Sequence, residues 1–202
     1  MQTTMIILID NGHGVETLGK RSPDGRLREY AWAREIARRI AIALQREGID
    51  ARLLVPETTD IPLSVRTRRV NEVCKAEGAR NVCLVSIHNN AAGADGRWHD
   101  ARGFAVYTSN NAGQGSRRLA AEFYAGAKAR GLTGNRATPP QGFWQASLAM
   151  CRDTKCTAVL TENLFQDNRE DVAFLLSNEG KTTIVDLHVN AILNYIATCE
   201  QR

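Results

Sequence analysis

No stretch of this 202-residue chain approaches the ~20 consecutive apolar residues that cross a bilayer, so a membrane span is excluded. The opening Met1-Gln2-Thr3-Thr4-Met5 carries no basic region, separate apolar run or cleavage site, and no secretory leader is expected. Cysteine supplies no framework either. Cys74, Cys83, Cys151, Cys156 and Cys199 are odd in number and form no CxxC pair, which argues against a disulfide scaffold and for a reducing compartment. Short zinc signatures of the HExxH kind are missing, and no motif interleaves aromatic with basic residues as nucleic-acid binders do. There is no internal repeat, linker or low-complexity tract, so residues 1–202 are expected to form one domain. The net charge of +4 is small. It would suit an anionic polymer such as a cell wall, but arginines on solvated helix faces account for it equally well.

What the chain has is alternation of strand and helix patterns. Ile6-Ile7-Leu8-Ile9 reads as a strand buried on both faces, and Val82-Cys83-Leu84-Val85-Ser86-Ile87 and Thr157-Ala158-Val159-Leu160-Thr161 repeat that character. Ala51 to Val55, ended by Pro56, and Gly103 to Thr108 are two further strands. Helical periodicity runs from about Leu27 to Glu47, with Ile36, Ile40, Ala43 and Leu44 inward and Arg34, Arg38, Arg39 and Arg46 outward. A second helix is expected from Leu63 to Glu77, stopped by Gly78, with Leu63, Val70 and Val73 inward and Arg66, Arg68 and Arg69 outward. A third spans Ser116 to about Arg130, and helical pattern from Arg169 to about Tyr195 breaks near Gly180. Residues 131–147, with Pro139-Pro140 and Phe143-Trp144, are the least regular segment, of a length usually tied to function or mobility. The expected fold is a single α/β domain, a twisted mixed and mostly parallel sheet with helices on both faces.

Three strands lead into side chains with chemistry. The first ends in Asp10-Asn11-Gly12-His13-Gly14, the second in His88-Asn89-Asn90, the third in Glu162-Asn163. Ligands of open α/β sheets bind outside the carboxyl ends of strands, so two histidines and a glutamate there make a candidate metal site. Glu29, in the first turn of the first helix, reads either as compensation of the helix dipole or as a further carboxylate of the site. Two imidazoles and a carboxylate around Zn²⁺ leave a position open for water, and another carboxylate nearby could shuttle its proton.

The chain resembles the zinc-dependent N-acetylmuramoyl-L-alanine amidases of the type-3 family. The resemblance is carried by Ile9-Asp10-Asn11-Gly12-His13-Gly14, Arg28-Glu29-Tyr30, Ile61-Pro62-Leu63-Ser64-Val65-Arg66 with Asn71, Ser86-Ile87-His88-Asn89-Asn90-Ala91, and Leu160 through Asn168. It implies His13, Glu29 and His88 as zinc ligands and Glu162 as the catalytic carboxylate. It implies a peptidoglycan substrate, a muramyl peptide, and hydrolysis of the bond between N-acetylmuramic acid and the L-alanine of the stem peptide. No nucleic-acid or membrane partner is expected, and the protein is expected to act as a monomer. It would stay in the cytoplasm until released to the wall, or act on wall fragments inside the cell. The nearest rivals are a zinc peptidase acting on stem peptides and a non-catalytic wall-binding module. Asn11 departs from the family's usual proline, Thr157 stands where proline often precedes the last strand, and Asn163-Leu164 replaces the common Thr-Gly. His99 reads as a surface residue and His188 as structural. Arg66 fits helix anchoring or substrate contact, and Phe143 and Trp144 fit a substrate rim or the core.

Overall fold

The computed structural model describes residues 5–200. Six strands form one mixed sheet: β1 (Ile6–Asn11), β2 (Asp50–Leu53), β3 (Val82–Asn90), β4 (Ala105–Thr108), β5 (Trp144–Gln145) and β6 (Thr157–Phe165), in the spatial order β2-β1-β3-β6-β4-β5. The pairs β1–β2, β1–β3, β3–β6 and β4–β5 are parallel, and only β4 runs antiparallel to β6. The helices are α1 (Glu29–Arg46), α2 (Leu63–Glu77), α3 (Gln114–Ala129), α4 (Ala149–Arg152), α5 (Arg169–Leu176) and α6 (Asn178–Glu200).

Alternation along the central strands builds two cores. Ile7 and Ile9 of β1, with Val85 and Ile87 of β3, turn toward one face and join Ile36, Ile40 and Leu44 of α1, Leu119 and Phe123 of α3, and Ile184 and Ile192 of α6. Ile6 and Leu8 turn to the other face with Leu84 and Ala158, under Val70 and Cys74 of α2 and Met150 of α4. The central strands are thus covered on both sides, which is why they read as continuous apolar runs. No helix among the described residues is long and apolar enough to cross a membrane.

The topology places the site. The crossover from β1 to β2 goes one way and the crossover from β2 to β3 returns past β1, so the carboxyl ends of β1 and β3 flank a topological switch point. A helix that follows a parallel strand starts at that strand's carboxyl end, so the first residue of α1 arrives at the same edge.

Several local expectations change. Arg66, expected on the outer side of α2, is 2% exposed, whereas Leu63, expected inward, is 56% exposed. The first has a cause: Asp10 and the carbonyls of Asn11 and His13 take hydrogen bonds from the guanidinium and draw it inward. Arg34 is likewise not simply solvated, because it donates to the carbonyl oxygens of Glu57, Gly12 and Tyr30. The strand expected to end before Glu162 runs on to Phe165. The last helical stretch breaks at Ser177, not Gly180: the Ser177 hydroxyl accepts from Gly180 N–H and donates to the Phe174 carbonyl. Gly180 is needed for closeness, since a Cβ there would lie 1.9 Å from Phe174 O.

Candidate metal centre and active site

His13 follows β1 in the left-handed region, at φ 61°, where histidine is tolerated better than most side chains. Three bonds hold it there. Gly12 N–H donates to Ile87 O at 3.0 Å, Gly14 N–H to Thr17 Oγ1 at 2.9 Å, and Arg66 Nη2 to His13 O at 3.3 Å. Gly12 makes room for the second imidazole, since a Cβ on it would lie 2.3 Å from His88 Cε1. The two rings meet edge to face with centroids 4.9 Å apart.

Glu29 is wholly buried, and its Oε1 lies 3.3 Å from His13 Nε2 and 3.1 Å from His88 Nδ1, while accepting the Asn89 N–H at 3.0 Å. The carboxylate therefore points across to the strand ends and does not cap its own helix. Burial pushes the Glu29 carboxyl up, but hydrogen bonds and charge from His13 and His88 outweigh it and hold the group well below the ordinary carboxylate range. Burial pulls His88 down, yet the Glu29 hydrogen bond and charge, with Glu162 and Asp10 adding, leave its pKa raised. Such a cluster attracts cations. One candidate ligand atom from each of His13, Glu29 and His88 lies within 4.8 Å of the others, and buried Glu29 Oε2 has no hydrogen-bond partner among the described residues. Two imidazoles and a carboxylate with an oxygen to spare fit a zinc-type ion.

Glu162 stands beside this cluster as the registered neighbour of His88 across β3 and β6. Burial pushes its carboxyl up to about 7, against the pull of His88, Lys20 and Arg136, with Glu29 adding to the rise. Its Oε2 is also buried without a partner among the described residues.

A second layer fixes these groups. Arg66 forms a buried ion pair with Asp10 at 2.7 Å and also donates to Asn11 O at 2.7 Å and Ile61 O at 2.7 Å, while Ser86 donates to the other Asp10 oxygen. Asn163 donates to His88 O at 3.1 Å, and Asn89 donates to Asn163 O at 2.7 Å. Arg66 is thus an anchor of the His13 turn. Its inward position was invisible in a helical pattern that counts every arginine as outward, although Asp10 in an otherwise apolar strand is a signal that a buried cation is near.

The other candidates lie apart. His99 pairs with Asp95 at 2.9 Å on a loop. His188 is fully buried on α6, its Nδ1 2.8 Å from Ile184 O, so the ring donates there and Nε2 accepts from Thr161 Oγ1 at 3.1 Å. Burial lowers its pKa to about 4, and it is structural. Phe143 is in the core, whereas Trp144 is half-buried on the opposite side of β5. All five cysteines are free thiols.

Known proteins share this arrangement of strands and helices. The catalytic domain of CwlV, an N-acetylmuramoyl-L-alanine amidase from Bacillus (Paenibacillus) polymyxa, superposes with a TM-score of 0.78 at 20% identity, covering 96% of this chain and 98% of that one. The amidase Ami1 from Mycobacterium smegmatis gives 0.81 at 19% identity, with 98% and 99% covered. At these identities the likeness is one of fold. In sequence, the endolysin of Bacillus phage SPP1 is 26% identical over 188 residues, which is 93% of this chain; the chain spans 64% of that relative's length. The model of the N-acetylmuramoyl-L-alanine amidase family (Amidase_3) matches residues 7–194, and the chain belongs to that family.

Proposed function

We propose that the chain is a zinc-dependent peptidoglycan hydrolase that cleaves the amide between the lactyl group of N-acetylmuramic acid and the L-alanine of the stem peptide. One observation carries the reading: His13, Glu29 and His88 converge at the β1/β3 switch point with the half-buried carboxyl of Glu162 registered beside His88. His13, Glu29 and His88 would hold the ion. When bound, zinc supplies a Lewis acid that polarises the scissile carbonyl and makes water nucleophilic near neutral pH. Glu162 takes the proton of the attacking water and returns it to the leaving alanine nitrogen. A carboxyl raised to about 7 is matched to both halves of that transfer. Asn89, by donating to Glu29, and Arg66, by donating to the His13 carbonyl, keep the groups aimed.

All four groups come from one chain, which suits a monomer, and residues 1–202 act as one catalytic unit. The endolysin relative supports action on the cell wall after release from the cytoplasm. The test is digestion of purified sacculi before and after chelation. Release of amino groups that stops on chelation and returns with one equivalent of Zn²⁺ supports the reading. Undiminished release from metal-free protein overturns it.

A further inference from the structure

The side of the sheet that carries Glu162 continues across β4 and β5. Glu162 and Leu160 register with Ala105 and Tyr107 of β4, and Tyr107 registers with Trp144 of β5. Registered neighbours project to the same side. Phe165 pairs with Asn90, two residues beyond His88, and so returns to that side as well. The opposite side is independently marked by Val106, Phe143 and Leu164, which belong to the core that α3 covers. Tyr107 and Trp144 are half-buried, with ring centroids 5.8 Å apart, and form an aromatic floor beyond Glu162.

Arg136 lies on this floor. Its guanidinium carbon is 5.1 Å from the Trp144 ring centroid and 5.4 Å from that of Phe165. The chain just before it is anchored: Asn135 donates to Asp100 O at 2.8 Å and accepts from Arg102 N–H at 3.0 Å. Yet Nη1 is buried with no hydrogen-bond partner among the described residues. A guanidinium held on two aromatic faces, its side chain making no hydrogen bond or ion pair among the described residues, is a fork set for a carboxylate.

We propose that Arg136 binds a carboxylate on the departing stem peptide and so sets which peptides the enzyme accepts, an inference that rests on the amidase reading. The chemistry gives the direction. Glu162 returns a proton to the leaving nitrogen, so the peptide side of the scissile bond lies at Glu162 and continues away from the histidines, over β4 and β5. An extended peptide advances about 3.3–3.6 Å per residue, so the second residue stands about 7 Å from the scissile nitrogen. Neighbouring strands lie about 4.8 Å apart, so β5, two strands over, is about 10 Å from β6. A guanidinium set over Trp144 of β5 and Phe165 of β6 stands above the ground that the second residue crosses. In peptidoglycan that residue is a glutamate joined through its side chain, which leaves its α-carboxyl free or amidated.

The experiment uses two disaccharide pentapeptides that differ only in D-isoglutamate or D-isoglutamine at the second residue. We measure kcat and KM for the zinc-loaded wild type, Arg136→Gln and Arg136→Lys, with melting temperatures alongside. The expected result is a wild-type preference for the carboxylate of roughly 10- to 100-fold in kcat/KM, residing in KM, that collapses toward one in the Gln variant and is partly restored by Lys. A wild-type ratio near one overturns the proposal while leaving the amidase reading intact, because both substrates are still cleaved. A Gln variant that loses activity equally on both, with the ratio kept, makes Arg136 a packing residue and also overturns it. Release of peptide from neither substrate by the wild type overturns both readings.

Discussion

At the scale of single residues, Glu162 and Glu29 show how place decides the role of a carboxylate. Both stand at one edge of the sheet, but wholly buried Glu29 faces two imidazoles and is held ionised, whereas half-buried Glu162 is raised to about 7 by desolvation of its carboxyl. The first suits a ligand and the second a proton carrier. Glu162→Gln is expected to fold, to bind zinc as tightly as the wild type, and to lose about 10²–10⁴-fold or more in turnover, because glutamine cannot accept the proton. Melting temperature, zinc stoichiometry and turnover of this one variant check the assignment. Weakened zinc binding would make Glu162 a ligand, and near-normal turnover would remove it from the reaction. These positions were legible as candidates because three apolar strands lead into His13, His88 and Glu162, and the resemblance to the amidase family supplied their roles. The burial of Glu29 was not legible. Its place at a helix start admits a dipole role, and only the βαβ crossover brings it against His13 and His88.

At the scale of elements, β6 and α2 carry the precision of the site. Between His88 and Asn90 the partner strand advances from Glu162 to Phe165, so β6 holds one extra residue there, a bulge. Leu164 takes it up at φ 64°, a left-handed angle that a leucine rarely adopts. Leu164→Gly relieves about 1–2 kcal/mol of left-handed strain. It also removes a leucine that is 2% exposed, a loss of about 2–5 kcal/mol. The net expectation is destabilisation by about 2 kcal/mol, read as a lower denaturant midpoint; a gain in stability would show that strain dominates. For α2, Arg66→Met leaves Asp10 buried without its cation and is expected to cost about 3–5 kcal/mol and to weaken zinc binding by about 10-fold or more through the loosened His13 turn. A loss below about 1 kcal/mol with zinc binding unchanged would contradict the anchoring role. The ends of α2 were readable from Pro62 and Gly78, which bound it in the structure as in the pattern. The bulge and the inward arginine were not, since they depend on distant strands: Asp10 lies 56 residues before Arg66 and His88 lies 75 before Asn163.

At the scale of the whole molecule, the two cores hold the sheet rigid beneath the site, and one buried group makes that rigidity sensitive to acid. His188, on α6 behind Thr161, has its pKa lowered to about 4 in the folded chain against about 6.5 unfolded. Between those values the unfolded chain binds a proton that the folded chain refuses, so stability is full above pH ~6.5 and falls as pH drops toward ~4, by about 3 kcal/mol. His188→Gln is expected to be less stable at pH 7 but to decline less steeply over that window. Parallel pH curves for variant and wild type would contradict it. The alternation of strands and helices, and hence the α/β architecture, was plain in the sequence because the central strands are apolar on both sides. The two-residue strand β5 was not, since Trp144-Gln145 lies in an irregular segment and pairs only with β4.

The central claim is that this edge of the sheet hydrolyses the muramoyl–alanine amide. The most direct measurement is mass spectrometry of the products released from purified sacculi by the zinc-loaded protein. The account predicts intact stem peptides with a free L-alanine amino terminus, and glycan strands whose lactyl groups end in a free carboxyl. Peptides cut between later residues, with L-alanine still joined to the glycan, would contradict it.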